Sequence, residues 1–112
     1  MLKPPSRIHS RYSREAIELL GSLIRQARVE SRLTAEELAV RAGISRALLY
    51  RIEKGDPSCS IGAVFEVAAI VGVPLFESER ARLSARLADS ESRLALLPKS
   101  VRKSKAAVRD DF

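Results

Sequence analysis

Arg46, Ala47, Tyr50, Arg51 and Lys54 are the residues of this chain whose types and spacing could do chemistry. If the segment is helical, Arg46, Tyr50 and Lys54 repeat at i, i+4 and i+8 and share one face, flanked by Ala47 and Arg51, while Leu49 and Ile52 fall on the opposite side. A helix that is apolar behind and carries guanidinium groups in front suits insertion into the major groove of a nucleic-acid duplex. Residues for other chemistry are scarce. The chain has one histidine, His9, and one cysteine, Cys59, with no glycine-rich phosphate loop and no cluster of metal-ligand types. An enzyme is therefore not expected, nor a metal or cofactor.

The elements that must hold this face can be read from Thr34 to Gly55, TAEELAVRAGISRALLYRIEKG. Thr34 and Glu37 have the spacing of a capping box, and Glu36 and Glu37 place negative charge in a first turn, where the helix dipole favours it. Leu38 and Ala42 form the buried stripe of that helix, with the small Ala39 beside them where a second helix must approach. Gly43 stops the helix by entering the left-handed region, Ile44 reaches into the core from the turn, and Ser45 caps the next helix. Gly55 ends that second helix, and Asp56-Pro57 opposes its continuation.

These residues resemble the helix-turn-helix of the Cro/C1-type (XRE) repressors, the lambda-repressor-like DNA-binding domains. The resemblance rests on Ala39, Gly43, Ile44, Leu49 and Ile52, on the ending Ile52 to Gly55, and on Leu23 to Ala39, LIRQARVESRLTAEELA; it covers about Leu20 to Leu75. It implies an all-α fold, a five-helix lambda-repressor-like domain, to which the residues that follow add an extended C-terminal helix and disordered tails. It also implies that Ser45, Arg46, Ala47, Tyr50 and Arg51 face the groove, with Lys54 near the backbone. Arg46 and Arg51 would each grip guanine O6 and N7, Ala47 would touch a thymine methyl, and Tyr50 would meet phosphate or sugar. Many such repressors contact phosphate through a glutamine at the start of the second helix. Here that position is Ala35, and Arg41 could substitute. In the family an arginine at the position of Arg28 pairs with the glutamate at the position of Glu53. A buried pair of this kind would cost about 3–5 kcal/mol if one partner were removed.

Around this motif, Ser13 can cap a first helix running to about Ser31, with Ile17, Leu20, Leu23, Ile24 and Ala27 as its apolar stripe. Ser58 or Ser60 can cap a fourth helix, about Ile61 to Val71, whose core face is Val64, Val67, Ala68 and Val71, ended by Gly72-Val73-Pro74. Residues 77–97 read as a further amphipathic helix. Leu83, Leu87, Leu94 and Leu97 fall at i, i+4, i+11 and i+14, with Ser90 interrupting at i+7. That stripe must bury itself on the domain, on a second copy or on another protein, and a homodimer is the preferred expectation because such domains read two half-sites about 34 Å apart. The expected organisation is a basic arm over 1–12, the DNA-binding domain over 13–76, the amphipathic helix over 77–97 and a disordered tail over 98–112.

The net charge of +6 is concentrated at the two ends. Residues 1–14 carry +4 and residues 98–112 carry +3, leaving residues 15–97 at −1. Non-specific attraction to phosphate is thus expected from the arms, and sequence reading from the second helix of the motif. A single cysteine, no apolar run of membrane-spanning length and no hydrophobic leader predict a cytoplasmic protein without a membrane partner. The function expected is a sequence-specific, double-stranded-DNA-binding transcriptional regulator, a dimeric repressor. The alternative is a HipB-type antitoxin, to which the chain is similar in size and layout. The acidic-aromatic ending Asp110-Asp111-Phe112 would then help to hold a kinase toxin.

Overall fold

Ser10, rather than Ser13, starts the first helix. In the computed structural model, which describes residues 9–103, the Ser10 side chain accepts from the backbone N–H of Ser13 at 3.1 Å, and α1 runs over Arg11–Glu30. Both serines have the chemistry of a cap; Ser10 takes the position, and Ser13 becomes the residue whose N–H needs capping. Arg11 and Tyr12 of the expected arm are therefore helical. Lys3 and Arg7 of that arm, and the ending Asp110 to Phe112, lie outside the described residues.

The next two helices follow the expected signals closely. Thr34 Oγ1 accepts from the N–H of Glu37 at 3.0 Å, and Glu37 Oε1 accepts from the N–H of Thr34 at 2.9 Å, which opens α2 over Ala35–Ala42. Gly43 closes α2 in the left-handed region at φ +70°, where a side chain would strain the backbone. Ser45 Oγ accepts from the N–H of Leu48 and opens α3 over Arg46–Glu53, with Lys54 as its C-cap. Ser60 caps α4 over Ile61–Val71. Ser58, the other candidate, is bonded to Asp56 through both its N–H and its hydroxyl. The last helix, α5, covers Arg80–Leu96 and starts three residues later than expected, because Glu79 supplies no side-chain cap bond and the preceding residues do not wind.

The described residues are all-helical and divide into two units, Met1–Phe76 and Glu77–Phe112. In the first unit α1 packs on α3 and α4, and α2 packs on α3 and α4. Each of the four helices sends one large side chain to full burial: Ile24, Leu38, Leu49 and Val67. Ala39, Ile52 and Ala68 complete the core, with Leu20, Ile44, Val64 and Val71 packed around it. Each large core side chain contributes about 1.5–3 kcal/mol from apolar burial.

Leu23 was expected in the stripe of α1 but is 39% exposed. The inner position belongs to Gly21, which is buried. One residue turns a helix by about 100°, so with Ile24 and Arg28 facing inward Leu23 points well away. A Cβ built on Gly21 would run into the backbone carbonyl oxygen of Ile52 and lie 2.9 Å from that of Glu53. Glycine here is what lets α1 approach the end of α3.

In the second unit Arg86 pairs with Glu77 at 3.0 Å, Arg93 pairs with Asp89 at 3.3 Å, and Leu83, Leu87, Leu94 and Leu97 are exposed. No helix among the described residues is long and apolar enough to cross a membrane.

Candidate nucleic-acid interface

Three contacts fix α3 from behind. Leu49 and Ile52 anchor its apolar side in the core. Gly21 sets how close α1 can come. Arg28 then ties the C-terminal end of α3 to α1: its Nε donates to Glu53 Oε2 at 2.7 Å and its Nη2 to Glu53 Oε1 at 3.1 Å, while Nη1 donates to the carbonyl of Leu33 at 3.0 Å. The two side chains are only 13% and 9% exposed. One guanidinium thus joins α1, the turn before α2 and the end of α3 with charge-assisted, bidentate geometry. The hydrogen bond to Glu53 also raises the Arg28 pKa above its ordinary value, so the cation is held at every accessible pH.

The opposite side of α3 is open. Arg46, Ala47 and Tyr50 are exposed, Tyr50 to 64%. Lys54 Nζ stands 5.4 Å from the centre of the Tyr50 ring, a cation–π approach that keeps the phenol and the ammonium together one turn apart. Ser45 is also exposed, but its hydroxyl oxygen is engaged as the cap of α3, leaving its proton to donate. Arg41 is exposed on α2, one turn on from Glu37, and does not line the groove beside α3. Ala35 does line it, at the first turn of α2.

That groove, about 660 Å³, carries cations from two helices: Arg25 of α1 as well as Arg46 of α3 and its C-cap Lys54. Ser22 lines it too. Sequence reasoning treated α1 as scaffold and missed Arg25. The available signal was Arg28: once Arg28 reaches α3, Arg25, three residues earlier and next to the buried Ile24, falls on the strip of α1 that borders α3.

Arg51 makes contacts within the chain that the sequence reading did not include. Its Nε donates to Asp56 Oδ2 at 2.9 Å and its Nη2 to Ser58 Oγ at 2.7 Å. Asp56 Oδ1 accepts in turn from the N–H and the hydroxyl of Ser58. The Ser58 hydrogen bonds and the Arg51 guanidinium hold the Asp56 carboxyl well below its usual range. The clamp uses one N–H on Nε and one on Nη2, and leaves the Nη1 N–H groups and the second Nη2 N–H, the end-on edge of the guanidinium, outside it. Arg51 therefore orders the loop from α3 to α4 through one edge of its guanidinium, while its end-on edge stays outside the clamp. Cys59, beside this loop, is partly buried, and burial raises its thiol pKa. It is a packed side chain rather than a reactive one.

With this geometry in place, comparison with known proteins gives a consistent result. Residues 19–83, from within α1 to the start of α5, match the family model described as a helix-turn-helix domain. Over 53 residues, 47% of this chain, the sequence is 36% identical to an uncharacterized HTH-type transcriptional regulator, y4mF, of Sinorhizobium fredii, 70% of which is covered. No solved structure matches the chain.

Proposed function

The chain belongs to the helix-turn-helix domain family, and from that premise we propose that it is a DNA-binding transcriptional regulator of the Cro/C1 type, a dimeric repressor whose α3 reads the major groove. The observation that carries this reading is the two-sidedness of α3: Leu49 and Ile52 are buried, and Arg46, Ala47 and Tyr50 stand exposed on the other side. The major groove is about 12 Å wide and admits one helix. Arg46 then pairs with a guanine edge and Ala47 meets a thymine methyl, while Arg25 and Lys54 take phosphates on the flanks. The relative named as a transcriptional regulator supports the same assignment.

The residues near α3 position and the arms attract. Residues 15–97 carry a net charge of −1, so the basic ends add to the counterion release that Arg25 and Lys54 give and supply most of the long-range attraction. The antitoxin reading rests on the tail from 98 onward, of which 104–112 lie outside the described residues; co-purification of a kinase toxin would decide for it.

The test is selection of bound duplexes from a random pool by the purified chain, followed by sequencing. The expected outcome is a short motif occurring twice with two-fold symmetry, the two copies about one helical turn apart. A pool that stays random at physiological salt rejects sequence-specific binding.

A further inference from the structure

We propose that α5 pairs in parallel, in register, with α5 of a second copy of this chain, and that Arg86 of each helix meets Glu91 of the other. This deepens the dimeric reading above and rests on it. Three observations carry it. First, Leu83, Leu87 and Leu94 are exposed along one face of a helix whose other residues, apart from Leu96 in its last turn, are charged or small. Their spacing, with Ser90 and Leu97, alternates four and three residues, which is the seam of a two-stranded coiled coil. Leu87 and Leu94 take a positions, with Arg80 at the a position of the first turn, and Leu83 and Ser90 take d positions; Leu97 continues the spacing as the C-cap just past the helix.

Second, the charges beside that seam fit one orientation. Arg86 and Arg93 fall at g, and Glu91 falls at e. In a parallel pair, g of one helix approaches e five residues on in the other, which places Arg86 beside Glu91 twice by symmetry. In an antiparallel pair, g faces g, and Arg86 would face Arg93 twice. The parallel arrangement gains two Arg86–Glu91 pairs against one Arg80–Arg80 contact at the open N-terminal end of the seam. The antiparallel one sets Arg86 against Arg93 twice and gains neither pair, so the charges favour the parallel arrangement.

Third, the present partners of these groups leave them available. Arg86 bonds to Glu77, and that pair is largely solvated on the arginine side, with 60% of its side chain exposed. Arg93 and Asp89 form an exposed i, i+4 pair. Exchanging one surface partner for another costs little. The polar Ser90 at the centre of the seam weakens the pairing, so it is a modest contact between subunits that two half-sites on one duplex would bring together.

The experiment is sedimentation equilibrium of the full chain across the micromolar range, with the charge-swap set Arg86→Glu, Glu91→Arg and the double variant. Each single change is expected to weaken dimerisation roughly tenfold, since two attractive contacts become repulsive. The double variant is expected to regain the original constant. Arg86 and Glu91 are five apart on one helix and do not face each other, so rescue cannot arise within a chain. A second measurement fixes orientation. Arg80→Cys in a Cys59→Ser background should cross-link under mild oxidation, because residues 80 are adjacent in the parallel pair and about 25 Å apart in the antiparallel one. A monomer at all concentrations, single variants without effect, or a double variant that stays weak would each overturn the pairing. DNA mobility shifts on the same preparations separate the two claims. A monomeric chain that still shifts its selected duplex ends the pairing and leaves DNA binding intact. Charge-swap rescue without any shift supports the pairing and rejects the regulator reading.

Discussion

Gly21 on α1 lies against the carbonyl oxygen of Ile52 near the end of α3, with no room between them for a single carbon. Gly21→Ala would gain helix propensity, about 1 kcal/mol in an open position. Here the methyl meets backbone oxygen, which cannot rotate aside, and the helices must separate. The expected net result is a loss of about 1–3 kcal/mol, as for other overpacked sites. Urea denaturation measures it. A variant as stable as the parent would mean that α1 and α3 can slide apart freely. DNA affinity should fall as well, because the same contact sets the depth of α3 against its scaffold.

Arg46 and Arg51 look alike in the sequence, but Arg51 alone is tied to the loop after α3. Arg46→Ala is expected to cost about 1–3 kcal/mol on the selected duplex and to relax preference at one base pair. Arg51→Ala should instead leave base preference unchanged and loosen the loop between α3 and α4, seen as faster amide exchange around Asp56 to Cys59. Equal weakening of Arg46→Ala on all sequences would make Arg46 a phosphate contact. A base-specific defect in Arg51→Ala would mean that Arg51 also reads a base through the Nη N–H groups that the clamp leaves over.

What could be read in advance followed from local chemistry. The capping box of Thr34 and Glu37, the left-handed Gly43 and the Ser45 cap each depend on residues within four positions, and all are present in the structure as expected. The identity of the core residues in α2, α3 and α4 was legible for the same reason: short helices have one stripe. The misreadings came where two local solutions compete. Ser10 and Ser13 could both cap α1, and Leu23 is as apolar as Ile24, so only packing against α3 decides which faces inward. At the interface, the exposure of Arg46 and Tyr50 followed from helical periodicity alone. The capture of Arg51 by Asp56 and Ser58 did not, because it depends on how the loop folds back after α3.

Asp56 predicts a specific acid sensitivity. Its folded-state pKa is depressed below the ordinary 3.8 by the N–H and hydroxyl of Ser58 and by Arg51. A depressed carboxyl contributes stability that is fully present above its unfolded pKa and is lost as pH falls through the folded value. The loss therefore begins below about pH 4 and leaves neutral pH untouched. Glu37, lowered by its two hydrogen bonds with Thr34, acts in the same direction. Asp56→Asn should flatten the acid limb of a plot of urea midpoint against pH between 2 and 6. A limb with unchanged slope would assign the acid sensitivity to other carboxylates.

The basic N-terminal arm calls for a shorter deletion than the sequence suggested. Removing residues 1–12 would take away Ser10, the cap of α1, and Arg11 and Tyr12 of its first turn, so any loss of binding could reflect a damaged helix. Removing residues 1–8 spares the cap and deletes Lys3 and Arg7. If both cations neutralise phosphates, the slope of log K against log salt should become shallower by about 1.8, at about 0.9 for each contact on B-form DNA. The selected motif should stay the same, because phosphate contacts carry no base information. Fluorescence anisotropy titrations at several salt concentrations measure the slope, and repeating the selection with the shortened chain tests the motif. An unchanged slope removes the arm from the interface. A changed motif would mean that the arm reads bases, as basic arms inserted in a minor groove do.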